Sequence, residues 1–179
     1  MEQREYGTVE TPVAQIGLES GEDVDSPERE RQLYAKQTEC TFMWTNRAGE
    51  PVGVIMNYVF HDDRFWLTAT RRRARVPAIE RDPRVAIAIS SRGTDIGVSQ
   101  SVTHKGTAVV HEDRATKDWF YPALAAAVRP GSERKQQAFI EHLDSPGRVV
   151  IEVRPTLRIG FDSEQMFRDS AAGSSRSQL

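Results

Sequence analysis

The sequence predicts a mainly β protein: about six antiparallel strands meandering into a small barrel, with short helices inserted at its rim. Three observations lead there. Short segments rich in β-branched and aromatic residues recur between turn residues, as in Thr41–Thr45 and Phe65–Thr68. Arg84–Ser90 alternates Val85, Ile87 and Ile89 with small Ala86 and Ala88, the period of a strand with one packed face. Gly106 interrupts the long segment Val98–His111, marking a bulge or bend where a barrel turns its corner.

Each element follows in order. Residues 1–25 hold Gly7, Gly17, Gly21 and a run of acids, and read as an extended N-terminal arm, loose or lying on a partner subunit. Ser26-Pro27-Glu28-Arg29-Glu30 has a capping serine, a first-turn proline and acids at the positive helix end, so a helix runs from there to about Gln37. Thr41–Thr45 and Val52–Val59 form a hairpin around Asn46-Arg47-Ala48-Gly49, and Phe65–Thr68 is the third strand. Arg73–Arg81 reads as a short helix, Ser91–Ile96 as a polar loop, and Asp113–Val128 and Ser132–Leu143 as helices. Arg148–Val153 and Arg158–Phe161 are the closing strands. The barrel domain spans 26–168, and 169–179 reads as a disordered tail.

Composition narrows the class. The chain has 179 residues, enough for one well-filled core. Cys40 is the sole cysteine, which excludes an internal disulfide, and the four scattered histidines lack metal-ligand spacing. No apolar run approaches the ~20 residues of a membrane helix, so no membrane partner is expected. The opening Met1-Glu2-Gln3-Arg4-Glu5 has no basic-then-apolar leader, giving an expectation of cytoplasmic location. Net charge is −2, which argues against a nucleic-acid partner. A local basic cluster in such a chain points to a site rather than a general field.

That cluster is Arg71, Arg72, Arg73 and Arg75, directly after Phe65-Trp66-Leu67-Thr68-Ala69-Thr70. A strand ending in hydroxyl residues, then a turn of arginines, then a helix start, supplies what a phosphomonoester needs. Hydroxyls and free N–H groups donate to its oxygens, and guanidinium groups add charge-assisted bonds. The same run reads equally well as a solvated basic turn.

The order Trp-Leu-Thr-x-Thr, basic stretch, Ala78-Ile79-Glu80-Arg81-Asp82-Pro83-Arg84-Val85 resembles the pyridoxamine-phosphate-oxidase-like superfamily of flavin-binding split β-barrels. So do the hairpin with Gly49-Glu50-Pro51-Val52, the strand Gln100–Ala108 and the ending Arg148–Asp162. The resemblance covers roughly residues 27–168. It implies an FMN-binding split barrel, a homodimer with two interface sites, and an oxidoreductase acting on a small organic substrate. By position it implicates Arg73 and Arg75 for the cofactor phosphate, with Thr68 and Thr70 as hydroxyl donors and Arg72 as a helper. Val54, Ile55, Met56 and Asn57 would lie along the flavin ring, and Gln100 or Ser101 would complete the site from the other subunit. No residue is assigned as a catalytic acid or base, because a flavin carries the hydride itself.

Two departures bear on function. Arg75 stands where the family usually has lysine, and Ala78 where it often has asparagine. The C-terminal Arg-x-His motif of the true oxidases is also missing, so oxidation of vitamin B6 is not expected. A deazaflavin coenzyme is the alternative cofactor, with Arg71 and Arg72 available for its acidic tail. A non-catalytic flavin-binding or sensor protein is the alternative function. Cys40 is expected half-buried, His104 as packing near the ring site, and Trp119-Phe120-Tyr121 as core or dimer contact.

Overall fold

Alternation in the sequence is realised as an antiparallel sheet curled around its apolar face. The computed structural model describes residues 9–12 and 27–164. In chain order the elements are β1 (Val9–Pro12), α1 (Pro27–Lys36), β2 (Glu39–Thr45), β3 (Pro51–Asn57), β4 (Val59–His61), β5 (Arg64–Thr70), α2 (Arg75–Arg81), β6 (Arg84–Ser90), β7 (Gln100–His111), α3 (Arg114–Val128), α4 (Glu133–Leu143) and β8 (Arg148–Asp162). The strands follow the order β3-β2-β6-β7-β8-β5-β4, with β1 paired to β8. All pairings are antiparallel. The split-barrel expectation therefore holds, with β1 and β4 adding to the strands read from sequence.

Inward-facing Phe42, Phe65, Leu67, Ile87 and Val153 fill the barrel, Leu33 and Tyr34 enter it from α1, and Val76, Ala78 and Ile79 from α2. Cys40 is buried rather than half-buried, and its thiol donates to the Met56 carbonyl at 3.4 Å. On the opposite face of β5 and β8, Trp66 and Val150 pack beneath Phe120, Tyr121 and Leu124 of α3 and Leu143 of α4. Asp113 and Ser132 cap α3 and α4 by accepting from the Thr116 and Lys135 amides. Among the described residues no helix is long and apolar enough to cross a membrane.

Four boundaries differ from the sequence reading. The expected strand Val52–Val59 breaks at Tyr58, whose amide donates to Thr38 and whose buried side chain donates to the Tyr34 carbonyl at 3.3 Å. The two closing strands are one, β8, running through Pro155. Proline is tolerated there because it faces Gly106 at the register shift after Lys105, where the ladder is already irregular. A Cβ on Gly106 would run into the Arg154 carbonyl, so the bulge read from this glycine is a close backbone approach. The helix expected from Arg73 starts at Arg75 and is only 7 residues long, with no side-chain cap at Ala74. Within the N-terminal arm, Val9–Pro12 pairs with β8 of its own chain. The expected tail at 169–179 lies outside the described residues.

Candidate functional site

β5 carries Thr68 and Thr70 to the end of the barrel, where the chain turns through residues 71–74 into α2. The backbone fixes this turn: the Arg71 amide donates to Gly147 at 2.7 Å and the Arg73 amide to Thr70 at 2.9 Å. The arginine side chains then diverge in role. Arg71 is committed to Glu80, at 2.8 Å, and to Glu112. Arg72 and Arg73 are exposed and make no ion pair among the described residues. Arg75 is half-buried, its guanidinium carbon 5.9 Å from the Trp44 ring centroid. Its Nε is buried and meets no acceptor among the described residues.

Burial and then the neighbouring Arg73 lower the Arg75 pKa from the usual guanidinium range. Two adjacent guanidiniums, no carboxylate between them and one orphaned donor form an arrangement that an anion relieves. The short, uncapped α2 adds little dipole, so the charge of this corner is carried by side chains.

The other sequence-predicted residues fall into separate places. The Thr68 hydroxyl already donates to the Val149 carbonyl at 2.8 Å, which removes it as a donor to a ligand. Thr70 lies directly opposite Arg148 in the β5–β8 register and on the sheet face of Trp66 under α3, not on the barrel side where Arg75 meets Trp44, so it is not grouped with Arg73 and Arg75. In β3, Ile55 is 65% exposed on the outer face. Met56 faces inward and is buried against the core, so its side chain does not border a ring on the outer face. The Asn57 amide is tied to the Thr38 carbonyl at 3.1 Å.

Gln100 and Ser101 line an open cleft of about 460 Å³ with Ser91, Arg92, Ile96 and Phe161. Gln100 is buried, and its amide donates to Asp162 at 3.0 Å, so Ser101 is the freer of the pair. Trp44 pairs with Val85 at one end of β6, and Ser101 with Ser90 at the other. Within one chain the cleft and the arginines are thus about 17 Å apart along the strand, at ~3.3 Å per residue.

Sequence reasoning missed Arg148 and Tyr121. Each has a buried polar atom without a partner, Nε in Arg148 and the hydroxyl in Tyr121. In the sequence Arg148 is only the first residue of a closing strand and Tyr121 only part of an apolar helical stripe. Only the packing of α3 on β8 brings them together.

An open antiparallel half-barrel with a basic corner and a cleft at opposite ends of one strand defines a split-barrel class of protein. The sequence matches the pyridoxamine 5'-phosphate oxidase family over residues 27–158, and the chain belongs to that family. No curated protein matches it by sequence. Its fold is similar to that of the conserved hypothetical protein Rv2991 from Mycobacterium tuberculosis. The TM-score there is 0.70 at 16% identity, over 82% of this chain and 91% of that one. A FAD-binding protein from Mesorhizobium loti shares the fold with TM-score 0.58 at 14% identity, over 78% of this chain and 96% of that one. A structure named F420 reductase does so with TM-score 0.53 at 18% identity, over 72% and 94%.

Proposed function

We propose that this chain is a cytoplasmic, homodimeric flavin-dependent oxidoreductase that holds FMN by its phosphate and acts on a small organic substrate. The observation that carries the reading is the buried, partnerless Nε of Arg75 beside the unpaired Arg73. A phosphate dianion would satisfy the orphaned donor and neutralise the repulsion between the two cations. Membership of the oxidase family and the FAD-binding neighbour support a flavin-type ligand. Bound flavin supplies the hydride or electron chemistry. The residues of this chain anchor it, with Ile55 and the β3 backbone offered to the ring and Ser101 from the partner's cleft closing the site.

Binding of FMN to Arg75→Ala tests this directly. A hydrogen bond between charged groups contributes about 1.5–3 kcal/mol, so the variant should bind FMN roughly ten- to hundredfold more weakly. Arg84→Ala is the control, because Arg84 is exposed and already held by Asp82 at 2.7 Å. Equal FMN retention by the two variants would overturn the assignment.

A deazaflavin coenzyme is the second reading, favoured by the exposed, unpaired Arg72 as a contact for an acidic tail. Arg71 does not serve it, since Glu80 and Glu112 already neutralise that side chain. The absorbance of cofactor released from purified protein separates them: two visible bands for FMN, one at shorter wavelength for a deazaflavin.

A further inference from the structure

Tyr121 is 1% exposed, yet its hydroxyl has no hydrogen-bond partner among the described residues. A buried hydroxyl left unpaired is costly, and native proteins satisfy such groups with protein, water or ligand. The charged groups around it are Asp144, Arg148 and Arg114. Arg114 and Asp144 satisfy each other, with two contacts at 2.8 and 2.7 Å. Arg148 has no such partner, and its Nε is itself buried and unpaired.

Thr70 faces Arg148 across the β5–β8 ladder. Directly opposed residues project to the same face with Cβ atoms about 4.5–5.5 Å apart. The Thr70 hydroxyl also lacks a partner among the described residues. A phenol, a guanidinium and an alcohol therefore border one region between α3, the start of β8 and the end of β5, and what they lack is an acceptor.

We propose that Tyr121, Arg148 and Thr70 form a second oxyanion site, taking a phosphate or carboxylate group, separate from Arg73 and Arg75. The two sites lie on different sides of the 71–74 turn. Arg75 stacks toward Trp44, which packs in the barrel, whereas Tyr121 belongs to the cluster between the sheet and α3. The site does not depend on flavin being the ligand of the first. The oxyanion comes either from a free small molecule or from a second anionic group on a bound cofactor.

The test uses inorganic phosphate as the probe, on cofactor-free protein carrying Arg75→Gln so that the first site is silenced. At ionic strength matched with chloride, phosphate should still raise the thermal midpoint. Adding Tyr121→Phe or Arg148→Gln should weaken the apparent phosphate affinity roughly tenfold or more. Loss of all response in Arg75→Gln alone would mean a single site and overturn the proposal. So would an unchanged response in Tyr121→Phe with that variant as stable as its parent, since the hydroxyl then meets only water.

If Arg75→Gln does not fold, the wild type answers by NMR. The Arg148 Nε–Hε signal, assigned by its loss in Arg148→Lys, should move with phosphate and not with chloride; a stationary signal would overturn the site. The two sources are told apart by adding phosphate to FMN-saturated and FAD-saturated protein. A response that survives FMN and disappears with FAD assigns the oxyanion to a second cofactor phosphate, and one that survives both to a free molecule.

Discussion

His104 lies on the inner face of β7, 5% exposed, with its Nε2 2.7 Å from the Tyr34 hydroxyl. Burial, and after it the Arg158 charge, lowers its pKa from 6.5 to about 4. The groups facing it are Tyr34, the Arg158 guanidinium and the Phe65 ring, with Glu30 one hydrogen bond further on. In the unfolded chain the imidazole titrates near its ordinary value, so between those limits the unfolded state binds more protons. The contribution to stability is complete above pH ~6.5, falls as pH is lowered, and is exhausted below about pH 4. At ~1.4 kcal/mol per pKa unit, the loss is on the order of 3 kcal/mol. Urea unfolding between pH 7 and 4.5 should show this slope, and His104→Gln should flatten it. A variant as acid-sensitive as the wild type would place the effect elsewhere. From sequence His104 could be given only as packing near a ring site, because its partner Tyr34 comes from a distant helix. The arginine cluster was legible for the same reason that its details were not. Four neighbouring arginines are visible in the chain, but Glu112, which takes Arg71, and Trp44, which Arg75 covers, arrive only through folding.

Helix α1 is attached to the barrel by a polar contact as well as by Leu33 and Tyr34. Glu30, buried at the barrel mouth, pairs with the buried Arg158 of β8 and accepts from the Tyr34 hydroxyl at 3.0 Å. Removing one member of a buried pair leaves the other charge uncompensated, which costs about 3–5 kcal/mol. Glu30→Leu should therefore lower unfolding stability by that order in chemical denaturation. The double change Glu30→Leu with Arg158→Met, which removes both charges of the pair, should recover a substantial part of the loss. Equal losses in the single and double variants would show that the pair acts through packing alone. The helix itself was readable from its serine, proline and acids; its docking on β8 was not, since a single glutamate in a first turn looks like a dipole partner. Strands with strict alternation, such as β6, were readable for the converse reason: one face is filled locally and needs no distant information. The continuity of β8 through Pro155 was hidden because proline ordinarily ends a ladder, and only its position opposite Gly106 makes it harmless.

At the scale of the molecule, the halves of the proposed site lie at opposite ends of β6, and the outer face of the sheet is where they could be joined. That face presents Gly53 and Ile55 on β3, Thr41 and Met43 on β2, and Ala86 and Ala88 on β6, which the register places side by side. Small and apolar side chains on this face, with Ile55 65% exposed at the edge, suit a two-fold contact between copies. With its axis lying across the strands, such a contact would set the Ser101 cleft of one protomer against the Arg73–Arg75 corner of its partner. Light scattering at micromolar concentration should give twice the chain mass of 20.2 kDa, and a mass equal to one chain would remove the basis for an interface site. Ile55→Glu should shift the protein toward the single-chain mass, because an isologous interface buries the new charge twice. Ile55→Val, which keeps the apolar surface, should remain dimeric. Cofactor retention then separates assembly from chemistry: Arg75→Ala should be dimeric and poor in FMN, whereas Met43→Glu, on the same face but with no part in holding the ring, should be monomeric and poor in FMN with its arginines intact. A monomeric Met43→Glu that binds FMN as tightly as the wild type would place the entire site within one chain, leaving Ser101 and the cleft with no part in it.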